Sequence, residues 1–284
     1  MRVLFYAAAG LSQPVWDAYR ELALETCGER IIMATGLGST ETGPMAIQTS
    51  WETDHSGVIG IPVPGVTLKL VPRDNKLEAR VRGSNITPGY WRQPELTEKA
   101  FDEEGFYCFG DAIRFVDPND VNKGFVFDGR FSEDFKLASG TWVSVGPLRT
   151  KILAQSAPFI RDVVIAGHDR DYVSMLIFPD HAACAALASD IDAGPATSIA
   201  ELIEHSAVRV KFQALLAEIA ANATGSSNRV LRAILTDEPP SLDAGEVTDK
   251  GSLNQRAVLE RRKHIVEELY APEPSPRILK LKEK

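Results

Sequence analysis

The stretch VLFYAAAGLSQPVWDAYRELALETCGERIIMAT, residues 3–35, decides the fold class of this chain. It opens with an apolar run at 3–9 and closes with another at 30–35, both typical of buried strands. Between them, apolar residues recur at helical spacing over 14–27. Because a helical crossover returns the chain in its original direction, the stretch predicts a βαβ unit with two parallel strands. Functional loops are expected at the carboxyl ends of these strands.

The helix of this unit has recognisable ends. Ser12 can cap it, Pro14 suits its first turn, and Gly28 ends it. One apolar face is expected to pack on the strands, and its residues are Val15, Trp16, Tyr19, Leu22 and Ala23.

The character of the sequence changes after the βαβ unit. Over 57–129, short alternating runs separated by glycine, proline and asparagine predict an antiparallel sheet or small barrel. Beyond Arg130, helices are predicted at 146–157, across 182–222 and at 252–270, and strands at 162–167, 172–178 and 230–236. The sequence therefore predicts a mixed α/β protein with two domains, ending in a flexible tail.

Composition excludes several classes of protein. The 284 residues are 44% apolar and 25% charged, which fits a soluble globular chain rather than a disordered or collagen-like one. The net charge of −8 is not gathered into blocks, so no nucleic-acid partner is predicted. Three separated cysteines argue against a disulfide scaffold or a structural zinc site and favour the cytoplasm. The first apolar run is too short to span a membrane.

The segment ATGLGSTETGP, residues 34–44, is the most informative loop. Its three glycines allow close approach to a ligand, its hydroxyls and amides can bind phosphate oxygens, and Glu41 can hold a divalent cation. These features predict a nucleotide-binding loop, although neither the P-loop nor the dinucleotide fingerprint is present. Considered alone, the loop is explained equally well as a glycine-rich turn that binds nothing.

Three further residues are candidates for chemistry, each with a plainer explanation. Asp111 follows a glycine at the end of an apolar run, where its carboxylate could accept both hydroxyls of a ribose, but Gly-Asp is also a common turn pair. Arg130 lies among alternating charges, which suits a phosphate-binding hinge or a solvated hairpin. Lys250 could offset charge that develops during acyl transfer, or it could be an exposed residue of a capping loop.

The order of these motifs along the chain resembles the adenylate-forming superfamily of acyl-CoA and aryl-CoA ligases. The likeness is carried by GSTET at 38–42, VRGSNITPGYWRQPELTEKAF at 81–101, FGD at 109–111, GRFSEDFKLASGTWV at 129–143 and Lys250. Within the superfamily, the combination of TGLGSTET, EDFKLASGTWVSVGPLR and EVTDKGSLNQRAVL is most similar to feruloyl-CoA synthetase. The resemblance covers most of the chain.

The resemblance implies a site for ATP and AMP. The residues implied to contact the nucleotide are Ala8, Ala9, Gly38, Ser39, Thr40, Asp111 and Arg130. Within this set, Ala8 and Ala9 would line the adenine, and Thr40 would contact the AMP phosphate. Asp111 would bind the ribose hydroxyls, and Arg130 the ribose or the phosphate.

The resemblance also implies a metal and a catalytic lysine. Glu41 would bind Mg²⁺, while Lys250, together with Thr40, would stabilise charge as ATP and a carboxylate form an acyl-adenylate. CoA would then displace AMP. The implied activity is that of an AMP-forming carboxylate–CoA ligase acting on an aromatic, hydroxycinnamate-type acid such as ferulate. Holding the reactive mixed anhydride in a closed pocket would suppress its hydrolysis.

The family architecture implies three parts of the chain. Residues 1–129 would be the end of a large AMP-binding domain, with the βαβ unit and a small barrel-like subdomain. Residues 130–272 would form a mobile α+β domain, and 273–284 a flexible tail. The hinge is expected near 130–134, and its pivot candidates are Ser132, Glu133 and Asp134.

One motif of the family has no counterpart in these residues. A glycine- and serine-rich triphosphate loop of the TSGSTGxPK kind is expected before the first strand, and it is not found. The chain is therefore interpreted as the C-terminal half of a ligase, inactive in adenylation alone. An N-terminal half or a second copy is expected to cover the exposed sheet. The alternatives are a noncatalytic remnant that binds a nucleotide or acyl-adenylate, and one half of a split ligase.

Overall fold

The computed structural model describes residues 3–7, 10–11, 13–188, 198–248 and 251–281. The chain divides into two compact units, Met1–Ser132 and Glu133–Lys284. Each unit has hydrophobic clusters of its own. Among the described residues, no helix combines the length and apolar character that a membrane crossing requires.

The first unit begins with the predicted βαβ arrangement. Strand β1 (Val3–Phe5), helix α1 (Gln13–Cys27) and strand β2 (Ile32–Ala34) follow one another along the chain. The two strands pair in parallel, with Val3 opposite Ile32. The predicted parallel pair is confirmed, with shorter strands than expected, whereas the cap residue Ser12 lies outside the described residues.

Only part of the predicted apolar face of α1 is buried. Trp16 and Ala23 pack with Ile31 and Met33. The remaining three residues of the predicted face are 43–57% exposed, and they are Val15, Tyr19 and Leu22. A pair of strands about 5 Å apart forms a surface that is too narrow to cover the whole predicted apolar face of α1.

The rest of the first unit is built on an antiparallel sheet of seven strands. They are β3 (Gly36–Leu37), β4 (Ile47–Gln48), β5 (Val58–Pro62), β6 (Val66–Arg73), β7 (Lys76–Gly83), β8 (Tyr107–Phe115) and β9 (Phe125–Arg130), with helix α2 (Pro94–Ala100) between β7 and β8 in sequence. Their spatial order is β3-β4-β5-β9-β8-β7-β6. The predicted antiparallel sheet is confirmed, and it begins earlier than predicted because the loop after β2 contributes short strands of its own.

Turn chemistry explains the longest hairpin of this sheet. Strands β6 and β7 pair as far as Arg73 and Lys76, which leaves Asp74 and Asn75 as a two-residue turn. Both turn residues have positive φ, 48° and 65°. A type I′ hairpin requires this conformation, and Asp and Asn tolerate it.

The second unit has the predicted α+β character. It starts with a hairpin of β10 (Phe135–Lys136) and β11 (Trp142–Val143). The main sheet contains β12 (Ile160–Ala166), β13 (Val173–Pro179), β14 (Val230–Leu235) and β15 (Ile278–Lys280), in that spatial order. The helices are α3 (Val145–Ser156), α4 (His181–Leu187), α5 (Ile199–Glu204), α6 (Ser206–Ala221), α7 (Gln255–Arg261) and α8 (Lys263–Tyr270). In this sheet β13 and β14 pair in parallel, and the outer strands are antiparallel to their neighbours.

Helices cover both faces of this sheet. Side chains alternate along a strand, so Val163 and Ile165 of β12 lie in one core, while Val164 and Ala166 lie in the other. The first core is completed by α3, α4, α5 and α6. The second is completed by α7 and α8.

The helix predicted over 252–270 is two helices, because α7 and α8 are separated at Arg262. The Arg262 side chain is buried, and its guanidinium donates to the backbone oxygens of Glu238 and Pro239. Arginine is rarely buried without partners of this kind. Sequence periodicity does not reveal such a position.

The prediction of a flexible tail over 273–284 is wrong for its middle part. Strand β15 pairs with β14, and Ile278 and Leu279 are buried in the two different cores. Burial of two adjacent side chains on opposite faces holds this part of the tail at the sheet edge. Residues 282–284 lie outside the described residues.

Candidate functional site

The segment that follows β3 forms a single 3₁₀ turn over Thr40–Thr42. Ser39 precedes the turn in an extended conformation, and its backbone N–H donates to Thr42 Oγ1 at 2.8 Å. Gly43 closes the turn with φ 57°, in the left-handed region. Thr40 is exposed at the turn, and Glu41 is half-buried. The turn therefore presents a hydroxyl and a carboxylate on adjacent residues.

Close backbone packing requires glycine at position 38. A Cβ on Gly38 would lie 1.8 Å from the carbonyl oxygen of Pro44. Since that neighbour is backbone, the loop would have to move to accept a side chain.

A second segment, residues 85–90, contacts this turn. Asn85 Nδ2 donates to the backbone oxygens of Thr42 at 2.7 Å and Met45 at 3.0 Å. The backbone N–H of Thr87 donates to the Glu41 carbonyl at 2.7 Å. Tyr90 Oη donates to Glu41 Oε1 at 2.9 Å. Part of the stretch 81–101 thus braces the stretch 38–42.

Asp111 and Arg130 form a pair on neighbouring strands of the same unit. They face each other in the register of β8 and β9, and Arg130 Nε donates to Asp111 Oδ1 at 3.1 Å. The Asp111 side chain is 8% exposed and that of Arg130 59% exposed. Gly110 has φ 71°, and the β8–β9 register shifts just after Asp111. This local irregularity places a nearly buried carboxylate under a largely exposed guanidinium.

Tyr107 is a buried residue of β8, the strand that also carries Asp111. Burial raises the pKa of its phenol, and the negative charges of Glu41 and Asp111 raise it further. Burial also raises the pKa of the Tyr90 phenol, with an additional contribution from its hydrogen bond to Glu41. The charges of both carboxylates act on this phenol, and Glu41, Asp111 and Arg130 all lie in the first unit, whose seven-stranded sheet contains β3, β8 and β9.

This arrangement offers oxygen ligands and a cation. Hydroxyl and amide groups of the turn suit phosphate oxygens, and the Asp111 carboxylate suits vicinal hydroxyls. No group of three or more His, Cys, Asp or Glu among the described residues could hold a metal by itself. Mg²⁺ commonly binds through one or two carboxylates together with substrate phosphates and waters. The donors present, Glu41 with the Thr40 hydroxyl, fit that pattern.

Two cavities lie away from this cluster. One of about 440 Å³ in the second unit is lined in part by Tyr172, Ser226 and Arg229. Another of about 170 Å³ in the first unit is lined in part by Trp51 and His55. Neither contains any of the predicted site residues.

Three predicted site residues, Ala8, Ala9 and Lys250, lie outside the described residues. Among the described residues that flank Lys250, the Thr248 N–H donates to the Ser252 carbonyl at 2.8 Å. The Gly251 N–H donates in turn to the Thr248 carbonyl at 2.8 Å.

The sequence patterns do not predict the buried ion pair between Glu246 and Arg262. Arg262 Nε donates to Glu246 Oε1 at 2.8 Å, and Arg262 Nη2 donates to Glu246 Oε2 at 2.9 Å. The pair lowers the pKa of Glu246 to about 2. The sequence patterns also do not predict the contact of Tyr90 with Glu41, although Tyr90 belongs to the GYW motif. Neither contact follows a helical or strand spacing that could have revealed it.

Residues 135–274, all within the second unit, match the family model described as AMP-binding enzyme C-terminal domain. "Probable acyl-activating enzyme 16, chloroplastic" of Arabidopsis thaliana is 22% identical over 249 residues, 83% of this chain and 34% of that protein. A probable CoA ligase of Humulus lupulus is 28% identical over 247 residues, 81% of this chain and 38% of that protein. This chain spans about a third of the length of these relatives.

The fold has a solved counterpart in the adenylation domain of a carboxylate reductase from Mycobacterium chelonae. It aligns with a TM-score of 0.69 at 24% identity, over 94% of this chain and 38% of that one. The chain therefore has the mixed α/β fold of adenylate-forming enzymes, its relatives include acyl-activating enzymes and CoA ligases, and its residues 135–274 match the AMP-binding enzyme C-terminal domain family.

Proposed function

We propose that this chain is part of an AMP-forming carboxylate–CoA ligase. In the first half-reaction a carboxylate oxygen attacks the α-phosphate of ATP, giving an acyl-adenylate and pyrophosphate. In the second, the CoA thiol attacks the acyl carbon and releases AMP. The observation that supports the proposal is that the Thr40–Thr42 turn follows β3 of the same sheet whose strands β8 and β9 pair Asp111 with Arg130.

Each of these residues has a role that its chemistry suits. The Thr40 hydroxyl, with the backbone of Gly38 and Ser39, would bind the α-phosphate. Asp111 would accept hydrogen bonds from the ribose hydroxyls, and the exposed guanidinium of Arg130 would bind the ribose or the phosphate.

Glu41 and the Thr40 hydroxyl would hold Mg²⁺, which when bound neutralises phosphate charge. The resemblance of the sequence supports adenine contacts for Ala8 and Ala9. It also supports a catalytic role for Lys250, whose ammonium would offset charge on the reacting oxygens.

The proposed acid is aromatic and of the hydroxycinnamate type. Support for this choice comes from the sequence motifs at 35–42, 133–149 and 246–259. The names of relatives include a long-chain fatty acid ligase and a malonate ligase. A panel of ferulate, a long-chain fatty acid and malonate, offered to the assembled enzyme, tests the choice through the rate of thioester formation.

Calorimetric titration with AMP tests the proposed nucleotide site on the 284-residue chain. We expect the wild type to bind AMP, and Asp111→Asn to bind it about 10- to 100-fold more weakly, because hydrogen bonds to a charged acceptor are lost. With 2′,3′-dideoxy-AMP the two proteins should bind alike, since the ribose hydroxyls are absent. Asp117→Asn removes an equal charge from an ion pair with Lys123 and serves as the control. Absence of AMP binding to the wild type would exclude the proposal.

The alternative candidate is a noncatalytic protein with the same nucleotide site. Such a protein would bind AMP or an acyl-adenylate without turnover. Supplying preformed feruloyl-adenylate and CoA separates the two candidates. Thioester formation supports the ligase, and binding without product supports the noncatalytic protein.

A further inference from the structure

Three hydrogen-bond donors from residues 85–90 converge on the Thr40–Thr42 turn, and each of them holds a different part of it. The Asn85 side chain ties the turn to the strand that follows, because its amide spans the carbonyls of Thr42 and Met45. The Thr87 N–H holds the backbone of Glu41. The Tyr90 hydroxyl holds the carboxylate of the same residue.

The bond from Tyr90 is charge-assisted and lies in a partly buried position. Its length, 2.9 Å between Oη and Oε1, is normal for a hydroxyl donor. Hydrogen bonds to an ionised carboxylate are roughly twice as strong as neutral ones. A glutamate side chain has several rotatable bonds, so a donor at one oxygen restricts where the carboxylate can point.

A carboxylate held in one orientation needs less rearrangement to bind a cation. Donors behind a metal ligand orient it, and their removal weakens metal binding even though they do not touch the metal. The charge of Glu41 also raises the pKa of the Tyr107 phenol. Tyr90 and Glu41 are 49 residues apart in sequence.

We propose that Tyr90 is a positioning residue for Glu41, and that residues 85–90 hold the Thr40–Thr42 turn in a conformation ready to bind a divalent cation beside the nucleotide phosphate. This inference rests on the proposed function, because it takes Glu41 as the cation ligand. It assigns the GYW motif a task in metal binding rather than in contact with the substrate.

The test measures Mn²⁺ binding to the AMP-saturated chain by electron paramagnetic resonance, with AMP affinity measured separately by calorimetry without divalent cations. Tyr90→Phe removes one oxygen. We expect Mn²⁺ affinity to fall about 10- to 100-fold while AMP affinity without metal is unchanged. Tyr19→Phe, in an exposed residue of α1, is the matched control and should bind Mn²⁺ as the wild type does.

A double-mutant cycle separates positioning from a general effect on folding. In a Glu41→Gln background, which lacks the charged ligand, Tyr90→Phe should cause no further loss of Mn²⁺ affinity. Asn85→Ala is a second variant that leaves both side chains intact and should also weaken Mn²⁺ binding. Circular-dichroism melting shows whether each variant is folded.

The outcomes are distinguishable. If the wild type binds AMP and Mn²⁺, and folded Tyr90→Phe binds Mn²⁺ equally well, the inference is wrong and the proposed function stands. If AMP binds without any Mn²⁺ site, the inference is likewise wrong. If AMP does not bind, both proposals are overturned.

Discussion

At the scale of single residues, the Glu246–Arg262 pair shows how burial changes the value of an ion pair. Both side chains are buried, and the carboxylate also accepts from Arg261 and from the Ser241 N–H. Exposed pairs contribute little to stability, whereas removing one member of a buried pair leaves an uncompensated charge. The second unit therefore depends on this contact, which lies next to the β-bridge between Val247 and Leu253.

We predict that Glu246→Gln lowers the free energy of unfolding of the second unit by about 3 kcal/mol. The measurement is hydrogen exchange in urea, monitored on peptides from 133–284. Glu267→Gln removes an exposed carboxylate paired with Arg170 and should cost at most about 1 kcal/mol. Equal losses of unfolding free energy in the two variants would show that the buried pair contributes no more than an exposed pair.

The same pair predicts a pH dependence. The pKa of Glu246 is lowered from 4.5 to about 2 in the folded chain, chiefly by hydrogen bonds from Arg262. A depressed pKa means that the unfolded state binds the proton more readily, so the contribution is complete above pH 4.5 and is lost as the pH falls towards 2. The stability difference between wild type and Glu246→Gln should therefore shrink over this interval. A difference that stays constant from about pH 6 to about pH 2.5 would contradict the assignment.

At the scale of elements, the loop between β3 and β4 depends on backbone packing. We predict that Gly38→Ala displaces the Thr40–Thr42 turn, because the added Cβ would lie 1.8 Å from the Pro44 carbonyl oxygen. AMP affinity should fall at least about tenfold, by the loss of about one charge-assisted contact. Gly225→Ala is the control, since its Cβ meets nothing within 4 Å and its φ of −176° is extended. Unchanged AMP affinity in Gly38→Ala would remove the turn from the proposed site.

The edge strand β15 makes a second prediction at this scale. Leu279 is 3% exposed in the core that also contains α6. Leu279→Ala should destabilise the second unit by about 2–5 kcal/mol, through lost burial and the cavity left behind. Val210→Ala, at a position 69% exposed on α6, should change stability by no more than about 0.5 kcal/mol. Urea-dependent hydrogen exchange measures both, and a neutral Leu279→Ala would show that β15 adds little to the sheet.

At the scale of the whole molecule, the first unit presents apolar side chains on β1 and α1. They include Val3, Phe5, Tyr19 and Leu22, which are 46–57% exposed. Parallel strands normally have both faces covered, so these exposed apolar side chains are candidates for an interaction surface. We expect a second copy of the 284-residue chain to cover these side chains in solution.

We predict that the isolated chain self-associates as its concentration rises, and that Leu22→Glu shifts it towards monomer. Sedimentation velocity provides the measurement. Leu242→Glu is the matched control, because Leu242 of the second unit is 60% exposed, close to the 57% of Leu22. A wild type that stays monomeric over the whole concentration range would contradict the expected interface.

Adjacent residues and local spacing by themselves determined much of the architecture. Apolar periodicity identified the βαβ unit, the antiparallel sheet and the α+β second unit, because the periods of helices and strands are properties of neighbouring residues. The order of the short motifs pointed to the adenylate-forming fold. Glu41 and Asp111 are candidates because each carboxylate follows an apolar run, and Arg130 is a candidate because it lies among alternating charges between two apolar strands.

Tertiary structure alone decided what depends on pairings between distant residues. It determined which half of the apolar stripe of α1 is covered, that β15 completes a sheet, and that Arg262 interrupts the last helical stretch. It also placed Tyr90 against Glu41, 49 residues away. Burial and long-range hydrogen bonds depend on how elements pack against one another, and no local period encodes that packing.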